Sequence, residues 1–232
     1  MSKKLTTRVF DQEVSEDEYT KAPLPTDTDV AMLAYCLGSF AAVEFPILRN
    51  LRVTQMVTAN PRLHYILSQM IVGFEKDILH SLAEGFSCHP DLLPEQFIAC
   101  MNNPEEMAYT LLAFSEKNKI NPMHELAMQV GRPMQTREIT CHLARAYKAR
   151  KLGGEEPTFA DMLRRIKPLT IQSLSRSLID NLLAELAKDE SISNAFYALM
   201  DQNFDYFYMN LVDGADEILH RPELAFRLLA TS

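Results

Sequence analysis

The sequence predicts an all-α protein, an irregular multi-helix bundle of about eight or nine helices with a disordered N-terminal arm. Apolar residues recur at intervals of three and four over long segments, and no stretch alternates apolar and polar residues for long enough to predict a strand. Asparagine–proline pairs also mark several helix starts. With 232 residues, the chain is long enough to bury a large core.

The N-terminal part of the chain is polar. Residues 1–26 are rich in acids and end in KAPLPTDTD, which predicts a mobile acidic arm. An all-helical domain is expected over 27–232, and its first helix should be capped by Thr26, Asp27 or Thr28 because these side chains accept hydrogen bonds from helix N–H groups.

Later helix boundaries have their own signals. Three starts place a capping asparagine before a proline, at Asn60-Pro61, Asn103-Pro104 and Asn121-Pro122. Gly131 followed by Pro133 predicts a helix stop, as does the pair Gly153-Gly154. Two lobes joined at a hinge near 153–154 are an alternative to a single helical domain.

Two apolar stripes mark the core faces of the C-terminal helices. The first stripe comprises Ile171, Leu174, Leu178, Leu182 and Leu186. The second lies on an expected long last helix and comprises Phe196, Met200, Phe204, Phe207, Leu211, Ala215 and Ile218. Both sets should be buried.

Composition excludes several classes of protein. The longest uncharged apolar run, Val30 to Val43, is too short to span a membrane, and the start of the chain lacks a hydrophobic signal core, so a cytoplasmic protein is expected. A net charge of -8 disfavours nucleic-acid binding. The four cysteines are scattered without zinc-finger spacing, and no phosphate-binding loop, dinucleotide fingerprint, nucleophile elbow or zinc-protease motif is present.

Two short stretches, KDILH and DEILH, share a carboxylate three residues before a histidine. The pairs are Asp77 with His80 and Glu217 with His220. Acid-x-x-His pairs on facing helices resemble the ligand sets of ferritin-like bundles, which bind two metal ions. One hypothesis is therefore a di-metal oxidoreductase with iron or manganese as cofactor, and with Glu44 as a further ligand.

The expected directions of these side chains weigh against that hypothesis. On continuous helices, His80 and His220 point away from the apolar stripes, and chance explains the spacing in a chain with 31 acids. Glu44 is different, because it fills an inward position of the first helix. Buried there, it would need a partner, a raised pKa, or a place at the rim beside a bend at Pro46.

The leading hypothesis is a non-enzymatic adaptor or subunit of a multiprotein assembly, without a cofactor, that acts by protein–protein interaction. A basic run offers Arg145, Lys148, Arg150 and Lys151, which form a solvated helix face or a docking site for an acidic protein. The run NAFYALMDQNFDYFYMNL offers Tyr197, Tyr206 and Tyr208 as core residues or interface residues. The oligomeric state is left open.

Overall fold

A computed structural model describes residues 16–103, 106–117, 121–150, 157–188 and 191–230. Every regular element in these ranges is helical, which confirms the all-α prediction. The α-helices are α1 (Glu16–Lys21), α2 (Asp27–Ala42), α3 (Ile47–Val57), α4 (Pro61–Glu75), α5 (Leu82–Ser87), α6 (Glu95–Ala99), α7 (Met107–Lys117), α8 (Pro122–Gln129), α9 (Met134–Arg150), α10 (Phe159–Ile166), α11 (Ser173–Leu186), α12 (Ile192–Tyr197), α13 (Met200–Asn203), α14 (Tyr206–Asp213) and α15 (Pro222–Leu229). Short 3₁₀ turns cover Cys100–Asn102 and Lys167–Leu169, and one π-helical turn covers Gly214–Ile218. There are more helices than the eight or nine expected, because several predicted long helices are broken.

The capping predictions are confirmed where the structure describes them. Thr26 caps α2 and forms a reciprocal pair with Asp29. Asn60 accepts hydrogen bonds from the first turn of α4, and Asn121 does the same for α8. Gly131 follows α8 with a φ of 67°, a conformation that glycine adopts without strain. Pro104 lies outside the described residues.

Part of the expected arm is ordered. The prediction assigned residues 1–26 to a mobile segment, but α1 packs against α4. The Arg62 side chain donates hydrogen bonds to the main-chain oxygens of Ala22 (2.6 Å) and Thr20 (3.2 Å). The ring centres of Tyr19 and Tyr65 are 4.5 Å apart. Residues 1–15 lie outside the described ranges.

The buried apolar side chains form two clusters that share α2. Leu33 and Leu37 belong to the first cluster, which is built mainly from α2 and α4–α7. Tyr35 and Phe40 belong to the second cluster, which is built from α2, α3 and α8–α15. Because α2 serves both clusters, it is buried on nearly all sides.

The second cluster takes residues from both sides of the segment that holds Gly153 and Gly154, among them Leu143 and Leu163. The two glycines lie outside the described residues, so the hinge between two lobes stays a prediction. No helix in the described part of the chain combines the length and apolar character that crossing a membrane requires.

Candidate interaction surfaces

The placement of Glu44 inside the core was wrong. The helix expected to carry Glu44 ends at Ala42, and Glu44 lies exposed in the turn before Pro46 with a φ of 53°. The turn closes when the N–H of Phe45 donates to the main-chain oxygen of Phe40 (3.0 Å). Glu44 has a left-handed backbone conformation and lies outside the helix. The helical periodicity that predicted an inward Glu44 side chain therefore does not apply to it.

The pair Asp77 and His80 also lies beyond a helix end. Helix α4 stops at Glu75, and Asp77 takes a left-handed conformation with a φ of 57°. Its side chain is 96% exposed and that of His80 is 70% exposed, with 3.9 Å between Asp77 Oδ1 and His80 Nδ1. Asp77 therefore does not lie on a helix as a metal ligand of the predicted kind would, while His80 points outward as expected.

Glu217 and His220 lie on the surface, as expected from their angles to the stripe. Glu217 accepts a hydrogen bond from the Ser191 hydroxyl (3.2 Å), and His220 Nδ1 lies 3.0 Å from the main-chain oxygen of Asp216. Among the described residues, no three His, Cys, Asp or Glu side chains are placed to hold a metal ion together. The five proposed ligands therefore do not form one site.

The basic candidates are only partly described. Arg145 and Lys148 are exposed on α9. The side chain of Arg150 and the whole of Lys151 lie outside the description, so a continuous basic docking face stays a prediction.

Tyr208 is not a surface residue. Its side chain is fully buried, so of the two predicted roles, core residue or interface residue, Tyr208 takes the first. The Thr140 hydroxyl donates its single hydrogen to the main-chain oxygen of Thr136. The Tyr208 hydroxyl is therefore the donor in its 2.9 Å hydrogen bond to Thr140 Oγ1. Burial raises the pKa of the Tyr208 hydroxyl.

A buried ion pair lies beside Tyr208. Arg132 Nε donates to Asp205 Oδ2 at 2.6 Å, with side chains 1% and 12% exposed. The Arg132 guanidinium lies 5.2 Å from the centre of the Tyr208 ring, and Asp205 also caps α14 by accepting from the N–H of Tyr208. This cap explains why the expected long last helix restarts at Tyr206.

Two of the predicted interface tyrosines share a surface with an arginine. We name Arg49, Tyr197 and Tyr206 the tyrosine–arginine surface. The two tyrosines are 38% and 43% exposed. Arg49 donates to Asp213 at 3.1 Å, and its guanidinium lies 4.6 Å from the centre of the Phe45 ring.

The other members of this surface act on the Tyr197 hydroxyl. The pKa of its hydroxyl is raised, first by partial burial and then by the nearby Asp213 carboxylate and Tyr206. The positive charge of Arg49 opposes this rise. Sequence reasoning missed Arg49, since it lies about 150 positions earlier on α3 and no local pattern links it to the tyrosines.

A second surface was missed because two of its residues, Ile171 and Leu174, were assigned to the core. Leu169, Ile171 and Leu174 are 60%, 88% and 62% exposed, and we name them the aliphatic tip. Leu178, Leu182 and Leu186 are buried as predicted. The prediction failed for Ile171 and Leu174 because α11 begins only at Ser173, and Ser175, one position after Leu174, takes the inward place on its first turn.

The aliphatic tip is anchored from α9. The Glu138 carboxylate accepts hydrogen bonds from the main-chain N–H groups of Ile171 (2.6 Å) and Gln172 (3.4 Å), and from the Ser175 hydroxyl. Burial raises the pKa of the Glu138 carboxyl, but these hydrogen bonds outweigh it, so the pKa lies below its ordinary value. Glu138 is therefore ionised at neutral pH and fixes the start of α11.

Basic residues flank the tip along the chain. They are Arg164, Arg165, Lys167 and Arg176, and the acids in the same segment are Asp161 and Asp180. Both acids are paired, since Arg164 donates to Asp161 at 2.9 Å and Lys167 donates to Asp180 at 2.5 Å. Among the described residues, no carboxylate lies within ion-pair distance of Arg165 or Arg176.

Comparisons of the chain with protein-family models, with curated proteins and with solved structures gave no match.

Proposed function

We propose that this protein is a non-enzymatic adaptor or subunit of a multiprotein assembly that acts by protein–protein interaction. The observation that supports this function is the tyrosine–arginine surface, on which Arg49, Tyr197 and Tyr206 come together from α3, α12 and α14. Tyrosine and arginine are the residue types, with tryptophan, that dominate measured binding energies at protein interfaces.

The geometry of this surface suits binding. Both tyrosines are partly buried, so their rings are held in place while more than a third of each remains open to a partner. The Asp213 carboxylate and the Phe45 ring hold the Arg49 guanidinium. Side chains that are fixed before binding lose less conformational entropy when a partner docks.

The exposed bases Arg145 and Lys148 favour an acidic protein as one partner. Nucleic acid is not an expected partner, because the net charge of -8 opposes binding to a phosphate backbone. The proposal places the assembly in the cytoplasm, and cell fractionation tests this location.

The main experiment compares the partners recovered by three versions of the full chain. A tagged chain is purified from its native host at physiological salt, and co-purifying proteins are quantified by mass spectrometry. We expect a partner in fixed ratio, and a reduction of at least about tenfold for the double variant Tyr197→Ala/Tyr206→Ala. Tyr109→Ala is the matched control, since Tyr109 is 77% exposed on α7.

Two outcomes would contradict the proposal. One is the recovery of no protein in fixed ratio. The other is equal recovery by the double variant and the Tyr109→Ala control, provided that both variants melt at the wild-type temperature.

The proposed function requires no metal, and the oxidoreductase hypothesis does. Protein produced with ample iron and manganese should contain either metal only far below stoichiometric amounts when measured by elemental analysis. A stoichiometric metal that is lost in the double variant His80→Ala/His220→Ala would favour the oxidoreductase instead.

A further inference from the structure

We propose that the aliphatic tip is a membrane-contact element that docks onto an anionic phospholipid surface. Leu169, Ile171 and Leu174 would enter the boundary between head groups and acyl chains, while Arg165 and Arg176 would lie among the anionic head groups. This inference goes beyond the proposed function and rests on a different part of the molecule.

The shape of the tip favours a bilayer over a protein partner. Ile171 is 88% exposed and the two leucines on either side are at least 60% exposed, so the apolar surface is convex. A protein would need a matching concave apolar pocket to cover it. A fluid bilayer accepts a small protrusion without such a pocket, since its head groups move aside.

The direction of the apolar side chains is set by a buried neighbour. Thr170 is 1% exposed and lies between Leu169 and Ile171. Thr170 has an extended backbone conformation, and successive side chains of extended backbone point to opposite sides, so an inward Thr170 turns Ile171 outward. Leu169, the last residue of the 3₁₀ turn, is also exposed.

The tip is rigid before any membrane is met. The main-chain oxygen of Thr170 accepts two hydrogen bonds from the Arg176 guanidinium, at 2.9 and 3.2 Å. The Glu138 carboxylate holds the next two main-chain N–H groups and the Ser175 hydroxyl. The three apolar side chains are thus presented by a fixed backbone, which reduces the entropy lost on binding.

The charges near the tip differ from those of the whole chain. Residues 161–180 contain four bases and two acids, while the whole chain carries a net charge of -8. Electrostatic interactions fade over about 8 Å at physiological salt, so the charges close to the docked surface decide the sign of the interaction. The negative charge of Glu138 cancels the charge of one base, but its carboxylate oxygens point toward Ile171, Gln172 and Ser175, from which they accept hydrogen bonds.

Phosphatidylserine and other anionic lipids of the cytoplasmic leaflet attract such a surface. Each base near the membrane contributes about fivefold in affinity. Because three aliphatic side chains and a few bases are involved, we expect reversible binding that weakens as salt increases.

The test uses the absence of tryptophan from the sequence. The variant Ile171→Trp places a single fluorescent reporter at the tip of the full chain, and Tyr109→Trp places one on α7 as a control. Each is mixed with phosphatidylcholine vesicles, with or without 30% phosphatidylserine, a composition of about the charge of a cytoplasmic leaflet. We expect a blue shift of the Ile171→Trp emission with the anionic vesicles only, and no shift for the Tyr109→Trp control.

A sedimentation assay with the same vesicles supplies the second measurement. Ile171→Asp should abolish co-sedimentation, and Arg165→Gln should reduce it about fivefold. Both positions are exposed, so each variant should keep the wild-type melting temperature, which is checked first.

Several outcomes would overturn the membrane proposal. They are no shift with anionic vesicles, an equal shift with neutral vesicles, and an equal shift of the Tyr109→Trp control. A shift of Ile171→Trp with protein concentration alone would show that a second copy covers the tip. Binding of a purified acidic protein at the tip, without vesicle binding, would assign it to a protein partner.

The failure of this inference and that of the proposed function can be distinguished. Ile171→Asp should leave the recovery of a protein partner unchanged, and Tyr197→Ala/Tyr206→Ala should leave vesicle binding unchanged. Ile171→Asp therefore tests only the aliphatic tip, and Tyr197→Ala/Tyr206→Ala tests only the tyrosine–arginine surface.

Discussion

Glu138 on α9 caps the start of α11: its Oε1 accepts a hydrogen bond of 2.6 Å from the main-chain N–H of Ile171. Gln172, at the N-cap position itself, provides no side-chain cap. The first N–H groups of a helix have no partner within the helix. Here the Glu138 carboxylate accepts from the N–H of the N-cap residue Gln172 at 3.4 Å, and its shorter bond to Ile171 positions the aliphatic tip just before the helix.

Replacement of this carboxylate should lower stability. Glu138→Gln removes the negative charge and leaves a single acceptor oxygen, so we expect a loss of about 1–3 kcal/mol in the free energy of unfolding, measured with urea. Glu116→Gln is the control, because Glu116 is exposed on α7, and its change should stay within about 0.5 kcal/mol. Equal effects of the two substitutions would contradict the capping role.

The same carboxylate predicts a pH dependence. The pKa of Glu138 is lower in the folded protein than in the unfolded chain, so its contribution to stability is full above the unfolded pKa of about 4.3. That contribution is lost as the pH falls through the lower, folded pKa. Urea unfolding of wild type and Glu138→Gln at pH 7 and at successively lower pH should show a stability difference that shrinks with acidification. A constant difference would argue against an ionised cap.

Two arginine–aspartate pairs allow a direct comparison of burial. Arg132→Leu leaves the Asp205 carboxylate buried without its cation and should cost about 3–5 kcal/mol. Arg49→Leu breaks a pair whose arginine is 47% exposed and should cost at most about 1 kcal/mol. Thermal or urea unfolding measures the change in the free energy of unfolding for both variants. A smaller loss for Arg132→Leu than for Arg49→Leu would show that burial does not set the cost of breaking these ion pairs.

The left-handed conformation of Glu44 predicts a stabilising substitution. A φ of 53° strains any residue with a Cβ atom, and glycine removes that strain. Glycine also raises the conformational entropy of the unfolded chain, which opposes this gain. Glu44→Gly should therefore raise the free energy of unfolding by at most about 1 kcal/mol.

The control for this prediction should change stability in the opposite direction. Gln69 is exposed in the interior of α4, where Gln69→Gly should cost about 1 kcal/mol. Differential scanning calorimetry measures both variants. A lower melting temperature for Glu44→Gly would show that the Glu44 side chain makes a contribution larger than its backbone strain.

The cysteines should differ sharply in reactivity. Cys36 is fully buried, and its burial, followed by the Asp205 carboxylate, raises the pKa of its thiol. Cys88 is exposed. Iodoacetamide at pH 8 should modify Cys88 in the folded protein and reach Cys36 only after unfolding, as peptide mass spectrometry can show. Modification of Cys36 at the rate of Cys88 without denaturant would indicate that α2 opens readily.

Local signals were predictable from sequence, because each involves neighbours in the chain. Thr26, Asn60 and Asn121 cap the helices expected of them, and Gly131 ends α8. Helix breaks without glycine were not predictable in the same way. Glu44, Asp77 and His220 all take left-handed conformations at helix ends; Glu44 and Asp77 therefore lie off the helices expected to carry them, while His220 is exposed as predicted.

The candidate surfaces depend on contacts between distant parts of the chain. The sequence indicated Tyr197 and Tyr206, but Arg49 joins them only through the packing of α3 beside α14. The sequence alone could not distinguish the buried Tyr208 from the exposed Tyr197 and Tyr206. The contacts of Tyr208 with Thr140 and Arg132 exist only in the folded chain. Ile171 and Leu174 fit a core stripe until the cap from Glu138 is known.

The position of α2 between the two apolar clusters has a consequence for synthesis of the chain on the ribosome. The Tyr35 hydroxyl donates to the main-chain oxygen of Leu228 (2.7 Å), a separation of 193 residues. At 5–20 residues per second, roughly 10–40 s pass between the translation of these two residues. During that time the face of α2 that carries Phe40 lacks its last helical partners, so apolar surface of the nascent chain stays uncovered until translation ends.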